Sequence, residues 1–240
     1  MKVAALYDIH GNLPALEAVL GEVPADATIL VGGDVCAGPM PAEVLGRLRA
    51  LGDRTRFVRG NADRFDAPVD GELGLRRRDW VWERLSVEEQ QALAAWPLTD
   101  VLDVDGLGPS IFCHGSPRSD EEMITAATSE ERLHAILGEV EERTVVCGHT
   151  HHQFDRPVGG IRVVNAGSIG LPYEGRPGAY WALLGPDVEL RRTGYDLEEA
   201  AEAIRATGYP DPEEKIELLE KPPSAQEVAE FFEQRALEQP

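Results

Sequence analysis

Short apolar runs alternate with stretches of helical period through the first part of the chain. KVAALY (Lys2–Tyr7) shows no polar alternation, which predicts a strand buried on both faces. In Asn12–Val23, Leu13, Leu16, Val19, Leu20 and Val23 recur at helical spacing, and Pro14 falls in a first turn that tolerates it. ATILVGGD (Ala27–Asp34) predicts a second strand that ends in glycines. Pro41–Leu51 predicts a helix started by its proline. TRFVRGN (Thr55–Asn61) predicts a third strand. This strand–helix rhythm predicts a parallel sheet flanked by helices.

The pattern then changes. Asp79–Trp96 reads as two short helices, the second opened by the capping-box pair Ser86 and Glu89. Ser110–His114, Thr144–His149, Gly160–Ser168, Ala179–Gly185 and Asp187–Tyr195 read as strands separated mostly by turns, with one helix at Glu130–Leu137. They predict a second, mixed sheet. From Asp196 to Pro240 the chain is acidic and helical in pattern, with helices at Leu197–Gly208 and Ser224–Leu237 separated by PDPEE and KPPS. The expected boundaries are a main domain over 1–195 and a helical extension over 196–240. Capping the domain, lying over a site and mediating self-association are all open to that extension.

Composition narrows the function classes. The chain has 240 residues and a formal net charge of -20. Such a surface disfavours long nucleic acid and anionic membranes, both polyanions. It leaves room for a small anionic substrate, because a metal site reverses the field locally. No apolar stretch approaches the roughly 20 residues of a membrane helix, and the N-terminal run is too short for a signal peptide. A soluble, cytoplasmic protein is expected. The three cysteines, Cys36, Cys113 and Cys147, are odd in number and widely spaced, so no disulfide framework is expected. They read as small residues packed under a site rather than as ligands.

The chemistry-bearing residues fall at the ends of the apolar runs. In YDIHGN, Asp8 and His10 are two apart, and extended backbone puts such residues on one face. His149 and His151 in GHTH repeat that spacing. Asp34 in GGDVC, Asn61 in RGNAD and His114 in FCHGS end other runs. Ligands of open parallel sheets bind at the C-terminal ends of strands. Two carboxylates, four imidazoles and one amide oxygen are too many for one tetrahedral zinc. They suit two divalent transition-metal ions sharing a bridge, for which Asp34 stands alone in its motif. Mixed nitrogen and oxygen ligation points to manganese first, then iron, zinc, cobalt or nickel. His134 and His152 read as ordinary hydrogen-bonded residues.

The order D-x-H, G-D, G-N, H-G, G-H-x-H resembles the calcineurin-like metallophosphoesterases over about Met1 to Leu190. DIHGN, VRGN, CHGSPR, GHTHHQF and VVNAGSIGLP are similar to the small bacterial and archaeal phosphodiesterase-type branch. The resemblance implies an α/β fold: a four-layer αββα sandwich of two mixed sheets flanked by helices, here with a helical C-terminal extension. It implies that Asp8, His10 and His151 hold one metal, that Asn61, His114 and His149 hold the second, and that Asp34 bridges. It further implies hydrolysis of small phosphodiesters or nucleotides by a metal-bridging hydroxide. Asn61 and His114 would be catalytic, and Asn12 and Arg118 would contact phosphate.

One residue departs from the pattern. Many members carry histidine after the asparagine of G-N, where this chain has Ala62 and then Asp63. Proton donation by a side chain contributes ~10²–10⁴-fold, so a weaker enzyme or a preference for better leaving groups is expected. Asp63 would replace the acid only if burial raised its pKa, and it reads as a cap or salt-bridge partner. The alternatives are a serine/threonine or nucleotide phosphomonoesterase, and a non-catalytic scaffold on the same fold.

Overall fold

In the computed structural model, which describes residues 1–236, β1 (Val3–Leu6) is buried along its whole length. It pairs in parallel with β2 (Thr28–Val31), which pairs in parallel with β3 (Thr55–Phe57). The other edge of β1 meets β9 (Ala179–Leu184) antiparallel, and β10 (Val188–Thr193) completes the sheet. The strand order is β10-β9-β1-β2-β3. The first sheet is therefore mixed, and the last two expected strands belong to it rather than to the second. The physical reason is the free edge of β1. A buried strand needs partners for both rows of backbone groups, and the late hairpin supplies the missing row.

The second sheet has the order β4-β5-β6-β8-β7. Its strands are β4 (Thr99–Val104), β5 (Gly108–Cys113), β6 (Thr144–Cys147), β7 (Phe154–Val158) and β8 (Ile161–Asn165). Strands β5, β6 and β8 run parallel, and β4 and β7 are antiparallel edges. Neither edge strand was expected. TDVLDV in β4 buries Leu102 and Val104 while Val101 and Asp103 face outwards. Pro157 interrupts β7, and proline is tolerated at an edge where no ladder donor is needed.

Side-chain alternation sorts these strands into four layers. Val3, Ala5 and Tyr7 meet Phe112, Val146 and Val164 between the sheets. Ala4, Leu6, Ile29 and Val31 face outwards onto α1 (Leu13–Glu22), α2 (Pro41–Arg49), α3 (Gly71–Trp82) and α4 (Val87–Ala94). Cys113, Val145, Cys147 and Val163 face the other way onto Leu133, Ile136 and Leu137 of α5 (Glu130–Leu137). This is the αββα sandwich that the motifs implied. All three cysteines are buried and free.

Helix starts follow local chemistry. Asn12 caps α1 by accepting from Ala15 N–H, and the Ser86–Glu89 capping box opens α4. α3 begins at Gly71 rather than at Asp79. In the tail, α6 (Leu197–Ala206) is capped by Asp196. α7 (Pro212–Glu220) starts within PDPEE, whose second proline opens a helix instead of breaking one. α8 (Ala225–Ala236) ends the described chain, so residue 237 of the expected last helix and the rest of the tail lie outside the described residues. No described helix is long and apolar enough to cross a membrane.

Tyr7 ties the sheets together, donating its buried hydroxyl to Val146 O at 3.0 Å. Tyr7→Phe should cost about 1 kcal/mol by deleting that bond. Phe112→Ala should cost about 3–5 kcal/mol by opening a cavity between the sheets. Urea midpoints of the two variants measure both; equal, near-zero shifts would contradict this packing.

Candidate metal centre

Strands β1, β2 and β3 of one sheet and β5 and β6 of the other deliver Asp8, Asp34, Asn61, His114 and His149 from their C-terminal ends. The backbone there is not extended. Asp8 (φ 52°), His10 (47°), Asp34 (51°), His149 (65°) and His151 (58°) are all left-handed. Among the described residues only Asp211 joins them as a non-glycine with positive φ. The convergence of residues two apart thus comes from left-handed turns, not from a pleat. Each such residue costs roughly 1–2 kcal/mol, so its surroundings must hold it. Asp8 N–H donates to Gly33 O, His10 N–H to Asp34 O, and Gly170 N–H to Asp8 O. Close approach adds a second restraint. A Cβ on Gly60 would lie 2.2 Å from Asp34 Oδ1, and one on Gly148 would lie 2.5 Å from Asp8 Oδ2.

Two donor groups result: Asp8, His10 and His151, and Asp34, His114 and His149, the ligand atoms of each within 4.8 Å of one another. His10 Nε2 and His151 Nε2 face each other at 3.0 Å. His114 Nε2 lies 3.1 Å from Asn61 Oδ1 and 3.2 Å from His149 Nδ1. Asp34 spans the groups, with Oδ2 3.9 Å from His10 Nε2 and Oδ1 3.6 Å from His114 Nε2.

The outer nitrogens set the tautomers. His10, His114 and His151 face the carbonyls of Ala37, Gly32 and Leu171 through Nδ1. His149 faces Glu121 O through Nε2. A nitrogen that donates to a carbonyl leaves its ring partner as an acceptor aimed inwards. Asp8 Oδ1 is buried and has no hydrogen-bond partner, and it lies 3.2 Å from His151 Nε2. Lone pairs crowded on an orphaned carboxylate oxygen are unfavourable unless a cation joins them. Each of the two donor groups therefore fits a divalent metal ion.

The electrostatics divide the imidazoles: burial opposes the charged form of His114, but the charges of Asp34 and Asp8 outweigh it and raise its pKa. Burial lowers the pKa of His149 to about 4, with His114 adding to the effect, and burial also lowers that of His10. Neutral imidazoles are the form that binds metal. Burial would raise the Asp8 carboxyl, but His151 and His114 outweigh it and hold it well below the usual range. Burial, then the charge of Asp34, raises Asp63 to about 7. Asp63 accepts from the N–H groups of Asp34, Val35 and Gly60, so it organises the loop that carries Asp34.

Other expected residues have partners of their own. Asn12 is buried and donates to Gly170 O and Tyr195 Oη. Arg118 is exposed, and its guanidinium pairs with Glu122 and donates to Ala135 O. The structure does not bring it to the donor groups. His152 donates to Thr150 O and accepts from Ala126 N–H, and the His134 ring lies over Gly159.

The tail contributes instead. A cavity of about 250 Å³ over the site is lined by Asp34, Asn61, His149 and His151 on one side and by Phe232 and Arg235 of α8 on the other. α8 is held there by the Arg235–Asp70 pair at 2.7 Å and by Thr125, which donates to Glu233 at 2.6 Å. Of the three roles open to the extension, α8 takes the place over the site. From α7, Lys215 is buried close enough to His10 to lower its pKa. Phe232, Arg235 and Lys215 sit in ordinary amphipathic pattern, and nothing local marks them. Tyr173, which stacks on His151 at 4.8 Å, is equally silent in sequence.

Residues 1–185 match the calcineurin-like phosphoesterase superfamily domain, and the chain belongs to that superfamily. It is 27% identical over 194 residues to the phosphodiesterase YfcE of Escherichia coli, covering 76% of this chain and 87% of that protein. It is 28% identical over 144 residues to the symmetrical bis(5'-nucleosyl)-tetraphosphatase of Erwinia tasmaniensis, covering 58% of this chain and 53% of the relative. The chain thus spans about half the length of the tetraphosphatases it matches. A metallophosphoesterase structure from Sphaerobacter thermophilus superposes with a TM-score of 0.76 at 26% identity, over 91% of this chain and 98% of that one. A Pyrococcus horikoshii protein shares the fold with a TM-score of 0.80 at 23% identity, over 93% and 99% of the two chains.

Lys215 makes the surroundings of the site pH-sensitive. Burial, then Arg77, lowers its amine to about 7 from 10.5. The unfolded chain keeps that proton up to its ordinary range, so stability through this group rises as pH climbs above 7. Lys215→Met should be more stable than the native chain at pH 7, with the advantage shrinking by up to about 1.4 kcal/mol per pH unit towards 10. Urea midpoints at pH 7 and 9 test this, and a pH-independent difference would contradict it.

Proposed function

We propose that this chain is a dinuclear-metal-dependent phosphoesterase acting on small phosphodiesters or nucleotides. The observation that carries the reading is the pair of adjoining donor groups, with every imidazole donor turned outwards and Asp8 Oδ1 left without a donor. On this reading Asp8, His10 and His151 hold one ion, Asn61, His114 and His149 hold the other, and Asp34 bridges. Two such ions supply Lewis acidity towards phosphoryl oxygens and a water acidic enough to attack near neutral pH.

The chain's own residues do the rest. Asn61 offers Oδ1 inwards and keeps its N–H₂ for a substrate oxygen. Arg235, paired with Asp70, places its guanidinium at the rim of the cavity. Phe232 makes one wall apolar and excludes water there. Ala62 gives its N–H to Asp34 Oδ1 at 2.8 Å and has no proton to offer a leaving group. That favours esters whose leaving oxygen needs little help, which is consistent with relatives named as a phosphodiesterase and a tetraphosphatase.

The test is hydrolysis of bis-p-nitrophenyl phosphate and p-nitrophenyl phosphate with Mn²⁺. Diester turnover should exceed monoester turnover, vanish with EDTA and return with Mn²⁺. Asp34→Asn should lower it by at least about 100-fold, the upper end of what losing an outer-shell partner costs. Faster monoester turnover would favour a phosphomonoesterase. No turnover of either ester with Mn, Fe, Zn, Co or Ni would favour a non-catalytic scaffold.

A further inference from the structure

Beside the candidate metal centre lies a second cavity, of about 140 Å³. Bond cleavage as described makes no use of it. Asn61 and Ala62 form the wall nearest the site, and the buried Ala67, Val81 and Trp82 line the cavity together with the more exposed Val69. Asn61 and Pro68 also line the cavity over Asp34, His149 and His151, so the two spaces share a wall. Ala62 presents only a methyl group there, and a larger side chain would extend into the space. Engineered apolar cavities of roughly 150 Å³ take a benzene-sized ring.

The lining chemistry narrows the occupant. Val81 and Trp82 are buried, and Phe65 packs edge-on against Trp82 with ring centroids 5.5 Å apart. Arg64, Arg77 and Arg78 border the space as well. Their guanidiniums are engaged: Arg64 with Asp120 and Glu121, Arg77 with Glu214 and two carbonyls, Arg78 with Asp79 and the Phe65 ring. With their charges balanced, it is their stems that wall the cavity. An apolar, partly aromatic pocket with few free polar groups suits a flat ring rather than a second phosphate.

We propose that this cavity is the subsite for the organic arm of the substrate and that it accepts a planar aromatic ring. The ring is the nucleobase of a nucleoside phosphoester or an aryl group. The proposal rests on the phosphoesterase reading only in placing the phosphoryl end in the adjoining space.

Gly74 of α3 allows a clean test. It lines the cavity, and a Cβ built on it meets nothing nearer than Val69 Cβ at 3.6 Å. Gly74→Leu therefore fills the space without displacing backbone, and it suits a helix better than glycine. Binding of adenosine 5'-monophosphate, phenyl phosphate and methyl phosphate to the Mn²⁺-loaded protein is measured by calorimetry. At least one ring-bearing ester should bind about tenfold or more tightly than methyl phosphate. In Gly74→Leu that preference should fall to within about twofold while methyl phosphate affinity holds, and Gly74→Ala should behave as native. Tighter binding of the nucleotide assigns the nucleobase, and tighter binding of phenyl phosphate assigns an aryl arm. Equal affinity of all three in the native protein, or a preference that survives Gly74→Leu, overturns the subsite. Turnover of bis-p-nitrophenyl phosphate, measured in parallel, separates the two readings. A ring preference lost in Gly74→Leu without turnover keeps the subsite and removes the hydrolysis; turnover without a ring preference does the reverse.

Discussion

The Asp8 carboxylate is the constraint around which the centre is arranged. It is fully buried, one oxygen accepts from His149 N–H at 2.9 Å, and the other has no donor. That bond crosses from the end of β1 to the end of β6, so the two sheets must meet at this point. A buried carboxylate with an orphaned oxygen is costly, and four imidazoles stand around it and Asp34 with their donors turned away. Such crowding needs a rigid frame to impose it, and a bound cation would relieve it.

The frame is the late NAGS segment. Asn165 donates to Gly148 O and Thr150 Oγ1, which holds the GHTH loop. Ser168 donates to Asp8 O and accepts from Leu171 N–H, and Leu171 O faces His151 Nδ1. One short stretch thus orients candidate ligands from both sheets. Outer-shell partners of this kind hold metal ligands in position and set their basicity. Ala62 and the loop after it then separate two spaces of different character. One carries the donor groups; the other is more apolar and bordered by α3.

Much of this was legible in the chain. Asp8, His10, Asp34, Asn61, His114, His149 and His151 stand at the ends of apolar runs, and a short-range signal of that kind survives in sequence. Runs with no polar alternation announced buried strands. The edges escaped because β4 and β7 are half-exposed and polar or proline-bearing, so their pattern resembles loop. α7 escaped because a proline that opens a helix looks locally like one that breaks it.

Sequence by itself determined which residue types could form a metal centre and that two sheets would carry them, since spacing and burial pattern are properties of neighbouring residues. Tertiary structure alone decided the rest. It placed β9 beside β1, because only the assembled sheet exposes the edge that needs a partner. It traded the expected pleat for left-handed turns, because those of Asp8 and His10 are held by bonds donated to Gly33 O and Asp34 O and accepted from Gly170 N–H. It put Phe232 and Arg235 over the site and left Arg118 on Glu122, because proximity across the chain is set by packing and not by position along it.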